Sequence, residues 1–241
     1  MIRTLVHGAG RMARRVLALL PEMEGFELAG LISRTRPDGK LVGVETATEW
    51  YGSLEDFKTT ADLLIDFTLP GGTRSAAEWC AHNGVAVLSG TTGLSDEDIQ
   101  ALKKAAQKVP VLWAPNLSHG IALMTTLVRQ AADALGSSAH ISITDIHHQH
   151  KVDAPSGTAL ALAAAVPPAD DGGELVFSSV REGEVVGEHI VRFELADEVI
   201  VISHKALDRA VFARGALNAG DWLVRQRPGY YSTDDWLDLP G

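Results

Sequence analysis

Three histidines and a lysine lie within five positions of an acidic chain. His147, His148, His150 and Lys151 stand in the stretch ITDIHHQHKVDAPSGTALALAAAV, and PSGT follows at residues 155–158, just before an alanine–leucine helix. A histidine exchanges a proton near neutral pH, and a lysine adds a positive point charge. The pattern therefore favours acid–base chemistry beside an anionic ligand.

The start of the following helix is a candidate anion site. Ser156, Gly157 and Thr158 would offer backbone N–H groups and two hydroxyls there. His147 and His148 are adjacent on an extended segment, so they should point to opposite faces unless the strand bends. A small polycarboxylate, a phosphate, and a solvated loop before a capped helix all remain possible on these residues alone. We predict no metal site, because no cysteine is near and the lysine would repel a cation.

A glycine turn near the N-terminus predicts a dinucleotide site. Gly8, Gly10 and Ala13 in VHGAGRMARRV follow the G-x-G-x-x-G/A spacing between a strand and a helix. Such glycines let the backbone approach a pyrophosphate, whose charge the helix N-terminus favours. The alternative is a turn used only for tight strand-to-helix packing.

The end of the second strand bears on the choice of cofactor. An acid there would grip a ribose 2′-hydroxyl, but the sequence LISRTRPDG has Ser33 and Arg34 instead, with Arg36 nearby. These residues suit a 2′-phosphate, so we expect NADPH rather than NADH, unless both arginines are merely solvated. Three further strand ends, DFTLP, SGTTG and APNLS, lie where a doubly wound sheet places its ligands.

The order of the elements predicts two domains. Apolar strands alternate with helices up to about residue 118, which indicates a parallel sheet covered on both faces. Beyond it, Val191, Phe193 and Leu195 alternate with polar residues, as in a half-exposed antiparallel sheet. We predict a Rossmann-type domain at 1–118, an α+β domain with a mostly antiparallel sheet for substrate and oligomerisation at 119–205, and a C-terminal segment, 206–241, that packs back on the first domain.

Composition excludes several classes of protein. The 31 acidic residues outnumber the 21 basic ones, giving a net charge of -10 that argues against nucleic-acid binding. No apolar run approaches the roughly 18 residues of a membrane span, and the start reads as a strand rather than a signal peptide, so we expect a cytoplasmic protein. The single cysteine, Cys80, has apolar neighbours and should be a core thiol.

The run HHQHKVDAPSGTA resembles the motif of the 4-hydroxy-tetrahydrodipicolinate reductase family, also called dihydrodipicolinate reductase. GAGRM, DFTLP, SGTTG, APNLS, VREGEVVGEH and ISHKALDRAVFARGAL support the resemblance in the family's order along the whole chain. It implies reduction of the cyclic imine of hydroxy-tetrahydrodipicolinate by NADPH or NADH, in lysine and diaminopimelate biosynthesis. It also implies a homotetramer paired through the antiparallel sheets.

The resemblance assigns roles to individual residues. His147 becomes the proton donor or acceptor and Lys151 its partner acid, while His148, Lys151, Gly157 and Thr158 hold the substrate. Ser156 is added to the substrate residues because it belongs to the candidate anion site at the helix start. The resemblance assigns these residues to the cofactor: Gly8, Ala9, Gly10, Arg11, Met12, Arg34, Gly90, Thr91, Thr92, Ala114, Pro115, Asn116 and Leu117. Ser33, Phe67 and Thr68 are added to them because they belong to the strand ends described above.

Departures from the family pattern leave two alternatives open. The first turn is one residue shorter than the commoner form, and Ser33, Leu117, His119 and Ala122 differ from the usual residues. A nucleotide-binding sensor with the same fold would have lost the catalytic motif, which is intact here. Another small dehydrogenase acting on an amino or imino acid would lack the histidine–lysine run.

Overall fold

The computed structural model describes residues 1–36, 50–167 and 175–237 of the chain. The chain forms two compact units. The first comprises Met1–Leu117 together with the segment that starts at Ala210, and the second comprises Ser118–Arg209. The chain thus leaves the first unit once and returns to it.

The first unit is built on a parallel sheet of seven strands in the order β11-β6-β5-β4-β1-β2-β3. Its strands are β1 (Ile2–His7), β2 (Phe26–Ile32), β3 (Trp50–Tyr51), β4 (Leu63–Asp66), β5 (Ala86–Ser89), β6 (Pro110–Trp113) and β11 (Gly229–Tyr231). Its helices are α1 (Arg11–Leu19), α2 (Gly72–Asn83), α3 (Asp96–Ala105), α6 (Ala210–Leu223) and α7 (Thr233–Leu237).

Two apolar clusters cover the two faces of this sheet. One contains Val6 and Ile65 with α1 and α6, and the other contains Leu64 with residues of α2 and α3. Central strands buried on both sides explain why β4 and β5 read as continuous apolar runs. The doubly wound arrangement predicted from the sequence is confirmed.

The second unit contains a mixed sheet of four strands in the order β10-β9-β7-β8. Its strands are β7 (His140–His147), β8 (Val176–Arg181), β9 (Gly187–Glu194) and β10 (Val199–Ala206), and its helices are α4 (His119–Leu135) and α5 (Gly157–Ala164). β9 is antiparallel to both of its neighbours, whereas β8 runs parallel to β7. The sheet is therefore mostly antiparallel, as predicted.

The two helices of this unit pack on one face of its sheet. Ile143, Val191 and Phe193 are fully buried against Val128 and Leu162. On the opposite face, Val176, Val199 and Val201 expose 61%, 44% and 51% of their surface. One face thus forms the core, and the other presents apolar side chains to solvent.

The short elements and the direction of β8 could not be predicted from the sequence pattern. β3 and β11 have two and three residues, too few for a periodic pattern, and α7 has five. In the chain, α5 lies between β7 and β8. A helical crossover of this kind lets β8 begin at the same end of the sheet as β7 and run parallel to it. Cys80 is buried in the core, as predicted. No helix in the described part of the chain is long and apolar enough to cross a membrane.

Candidate active site

The polar residues of the second unit gather on the helix-covered face of its sheet. Asp145 and His147 are two positions apart on β7, so their side chains share that face. Strand register places Ser179 and Arg181 of β8 opposite them on one side, and His189 of β9 opposite Asp145 on the other. Neighbouring positions on β8, β7 and β9 therefore bring several titratable side chains together at the end of β7.

Asp145 is the centre of this group and is 1% exposed. Its Oδ1 lies 2.9 Å from His147 Nδ1 and accepts a hydrogen bond from Arg181 Nη1 at 2.8 Å. Its Oδ2 accepts from Ser179 Oγ at 2.6 Å and from the Ser156 N–H at 3.4 Å. Burial alone would raise the pKa of Asp145, but these hydrogen bonds and the arginine charge lower it overall. The carboxylate is held ionised beside the histidine.

His147 is 8% exposed and has one ring nitrogen committed to Asp145. Burial and the charge of Lys151 lower its pKa, and Asp145 opposes them only in part. A Cβ at Gly187 would lie 3.2 Å from Nε2, so glycine on β9 keeps space beside this nitrogen. With Nδ1 held by a carboxylate, Nε2 is the nitrogen that can exchange a proton with a ligand.

The loop after β7 carries the lysine of the motif. Lys151 Nζ lies 2.8 Å from Asp153 Oδ1, and the side chain of Asp153 is more than half exposed. His148 is half-buried and His150 is exposed. Within residues 1–36, 50–167 and 175–237, no group of three metal-binding side chains has the geometry to hold an ion.

The start of α5 lies beside this group. Ser156 is the N-cap: its hydroxyl accepts from the Ala159 N–H at 3.1 Å and lies 3.1 Å from His189 Nε2. It is 1% exposed, so both its hydroxyl and its N–H serve contacts inside the protein. Gly157 is exposed and Thr158 half-buried. Any ligand at this helix start would meet those two residues, with Ser156 acting as the support beneath them.

Two further histidines extend this group across the sheet. His189 on β9 pairs with His204 on β10, and its ring stacks edge-on against His147 at 5.2 Å. Burial, with the neighbouring His147, lowers the pKa of His189 to about 4. His204 Nε2 lies 3.4 Å from the hydroxyl of Ser118, the N-cap of α4. Each of these histidines therefore contacts the cap of one helix.

In the first unit, a cavity of about 870 Å³ opens at the carboxyl ends of β1, β2 and β4. Gly8 has φ +107°, and a Cβ there would lie 2.6 Å from the Phe67 carbonyl oxygen. Gly10 precedes α1 and has open space around it. Only glycine fits at position 8, and Gly10 leaves the open space that a pyrophosphate requires. The residues present thus fit a dinucleotide.

The remaining cofactor candidates all lie just beyond strands of this sheet. Ser33 and Arg34 line the cavity with Phe67 and Thr68. Ser33 Oγ donates to the Thr35 carbonyl at 2.8 Å, and Arg34 is exposed. The others follow β5 and β6: Gly90, Thr91, Thr92, Ala114, Pro115, Asn116 and Leu117. Ala9, Arg11 and Met12 belong to the first turn and the start of α1.

Several residues of the site escaped the sequence analysis. Asp145 could have been found, because two positions along a strand share a face with His147. Ser179, Arg181, Gly187 and His189 depend on the register of β8 and β9, which no local pattern reveals.

Comparisons with known proteins cover both units. The family model "Dihydrodipicolinate reductase, N-terminus" matches residues 2–117, and "Dihydrodipicolinate reductase, C-terminus" matches residues 120–237. The 4-hydroxy-tetrahydrodipicolinate reductase of Alkalilimnicola ehrlichii is 38% identical over 98% of each chain.

Solved structures share the fold. A dipicolinate-bound dihydrodipicolinate reductase from Paenisporosarcina sp. TG-14 has a TM-score of 0.78 at 22% identity, covering 96% of this chain and 97% of that one. An engineered D-amino acid dehydrogenase bound to NADP⁺ has a TM-score of 0.58 at 14% identity, covering 96% and 92%. The two family models together span nearly the whole sequence, and the chain belongs to the dihydrodipicolinate reductase family.

Proposed function

We propose that this protein reduces 4-hydroxy-tetrahydrodipicolinate, through its cyclic imine, to tetrahydrodipicolinate with NAD(P)H, in lysine and diaminopimelate biosynthesis. The observation that carries this proposal is the 38% identity to a reductase of that name over 98% of both chains. The dipicolinate in the Paenisporosarcina structure supports a cyclic dicarboxylate as the class of substrate.

We assign the proton chemistry to the end of β7. The reaction adds one hydride, which the bound cofactor supplies, and one proton to the substrate. His147, with Nδ1 held by Asp145, would handle the proton through Nε2, and Lys151 would act as partner acid. The lysine charge lies near enough to lower the pKa of His147, which supports a shared site for the two side chains.

We assign the substrate carboxylates to the start of α5 and the preceding loop. Gly157 and Thr158 begin the helix, where N–H groups and the helix dipole favour an anion. Lys151 and His148 would add contacts from the loop. Ser156 enters this proposal as the cap that fixes the helix start rather than as a direct ligand, because its polar atoms already have partners.

We infer a preference for NADPH over NADH. Arg34 is exposed and lines the same cavity as the glycine turn, so it can meet a 2′-phosphate. The Ser33 position has no carboxylate that would repel that phosphate. The first unit, through residue 117 and again from Ala210, would then hold the cofactor, and residues 118–209 would hold the substrate.

We further propose that the chain forms a homotetramer through the open face of the second sheet. Val176, Val199 and Val201 form an exposed apolar surface there, and Ile190 lies half-buried among them. Sedimentation at micromolar concentration should give about four times the mass of the 25.7 kDa chain. A monomer under those conditions would reject this assembly.

A coupled assay tests the function. Dihydrodipicolinate synthase, pyruvate and aspartate semialdehyde supply the substrate, and the absorbance of NADPH or NADH is followed. We expect oxidation that depends on the synthase and is faster with NADPH, and a loss of turnover of about 100-fold or more in His147→Gln. NADPH affinity should stay unchanged in that variant.

The other outcomes separate the alternatives. Binding of NADPH without any synthase-dependent oxidation would favour a nucleotide-binding sensor. Full activity of His147→Gln would remove the histidine from the proton chemistry while leaving the reductase assignment intact. Equal rates with both cofactors would overturn the argument from Ser33 and Arg34.

A further inference from the structure

A buried carboxylate ties together the loops that surround the dinucleotide cavity. Asp66, at the end of β4, is fully buried. Its Oδ2 accepts hydrogen bonds from Thr73 Oγ1 at 2.6 Å, Ser89 Oγ at 2.8 Å and Thr91 Oγ1 at 3.0 Å. Its Oδ1 accepts from Thr68 Oγ1 at 2.7 Å. Hydroxyls from α2, from the end of β5 and from the turns that follow β4 and β5 thus converge on one carboxylate.

His7 joins this cluster from β1. Its Nδ1 lies 3.2 Å from Asp66 Oδ1, within ion-pair distance but without the geometry of a hydrogen bond, and 12% of its side chain is exposed. Burial alone would raise the pKa of Asp66, but His7 and the hydroxyls of Thr73 and Thr68 lower it overall. The aspartate is therefore an anion beside the imidazole.

His7 also belongs to the wall of the cavity. It directly precedes Gly8, and both residues line the cavity together with Gly10. The charged side chains that line this cavity with it, in the described chain, are Arg34 after β2 and Glu55 after β3, and Asp66 lies behind it. The glycine turn is where a pyrophosphate would sit, so an imidazole there faces anions on both sides when a dinucleotide is bound.

We propose that His7 is a cofactor-binding residue whose protonation is coupled to dinucleotide binding. The inference rests on the binding of NAD(P)H by the first unit, and not on the assignment of the substrate. Protonated His7 would bridge the Asp66 carboxylate and the pyrophosphate charge, whereas neutral His7 would lose the second attraction. Binding should therefore take up protons, and affinity should fall as pH rises through the range in which histidine loses its charge.

Calorimetric titration with NADH tests this coupling. NADH is used because it lacks the 2′-phosphate of NADPH. That phosphate ionises at about pH 6 and would itself contribute to the measured proton uptake. Titrations from about pH 5.5 to about pH 8, in buffers of different ionisation enthalpy, report both affinity and proton uptake. We expect wild-type protein to take up part of a proton and to bind NADH on the order of tenfold more tightly at the acid end.

Two variants and a control make the result specific. His7→Asn and His7→Gln keep an amide that can donate to Asp66 but cannot gain a charge, so they should bind without proton uptake and match wild type only at high pH. His82→Asn, on the exposed end of α2, should behave as wild type. Thermal melting identifies a variant that fails to fold.

Each outcome decides one point. Wild-type binding without proton uptake would overturn the inference, even if neither His7 variant folds. Uptake that persists in both variants would assign the proton to another group and reject His7. Absence of NADH and NADPH binding at every pH would instead contradict the cofactor assignment itself.

Discussion

Asp145 is the residue on which the chemistry proposed for His147 would most depend. It fixes the Nδ1 side of the ring and carries hydrogen bonds from Ser179 and Arg181 that keep it ionised. A hydrogen-bonding group at one ring nitrogen sets the tautomer and the orientation of a reactive histidine. Asp145 is therefore a positioning residue in the proposed reaction, and its removal should affect turnover more than cofactor binding.

The variant Asp145→Asn tests this at the level of one side chain. The carboxylate raises the pKa of His147 against burial and Lys151, so its loss should lower that pKa further. If protonated His147 is the donor, the fall in kcat at high pH should move to lower pH. We expect kcat to drop about 10- to 100-fold with little change in NADPH affinity.

Two comparisons distinguish positioning from general damage. Asp145→Glu keeps the charge and should recover part of the rate. Glu194→Gln removes an exposed carboxylate on the same sheet and should leave kcat unchanged. A pH profile of Asp145→Asn that is lower in height but unmoved in midpoint would argue against control of the His147 proton.

At the scale of elements, the N-cap of α5 connects the sheet to the proposed substrate site. Ser156 caps the helix, donates its N–H to Asp145 and contacts His189. Ser156→Ala should cost about 1 kcal/mol of stability and loosen the Gly157–Thr158 start. Because that helix start would hold carboxylates, we expect KM for the substrate to rise several-fold, with kcat less affected.

The helix α3 offers a matched control. Ser95 is its N-cap and forms a capping box with Asp98. Ser95→Ala should cause a similar loss of stability, measured by urea denaturation, with no change in KM. If both variants raised KM equally, the effect would be one of general stability and not of the α5 start.

Elements with a strong local pattern could be predicted, and those defined by pairing could not. The residue types and their periodicity in the sequence predict the glycine turn, the parallel strands and the alternation of β9. β11 is a strand only because residues 229–231 pair with β6, and the direction of β8 follows from the path of α5. Likewise, His147 and Lys151 could be named from a motif, but Arg181 and His189 join them only through strand register.

At the scale of the whole molecule, buried histidines should make the protein sensitive to acid. The pKa of His189 is about 4 in the folded chain, against about 6.5 when unfolded. As pH falls below about 6.5, His189 becomes protonated in the unfolded chain but stays neutral in the folded chain. Stability is thus complete above that value and falls by up to about 3 kcal/mol as pH approaches 4.

The variant His189→Asn should remove this share of the acid sensitivity. Urea denaturation at about pH 7 and about pH 4.5, at fixed protein concentration, should show a smaller difference for the variant than for wild type. His82→Asn, on the exposed end of α2, should lose as much stability as wild type. An unchanged difference in His189→Asn would mean that His147, His204 or His119, whose pKa values burial also lowers, dominate the response.

The parallel pairing of β7 and β8 has a consequence for inheritance. Both strands end at the same edge, so His147, the start of α5 and Arg181 all belong to one uninterrupted β–α–β segment. The proposed proton donor, the proposed anion-binding helix start and the support for Asp145 could therefore be acquired or lost together when one stretch of sequence is exchanged. Gly187 and His189 are the two residues that β9, which lies outside this segment, contributes to the group. If the segment were exchanged between related proteins, a mismatch with its new sheet would first appear as substitutions at those two positions.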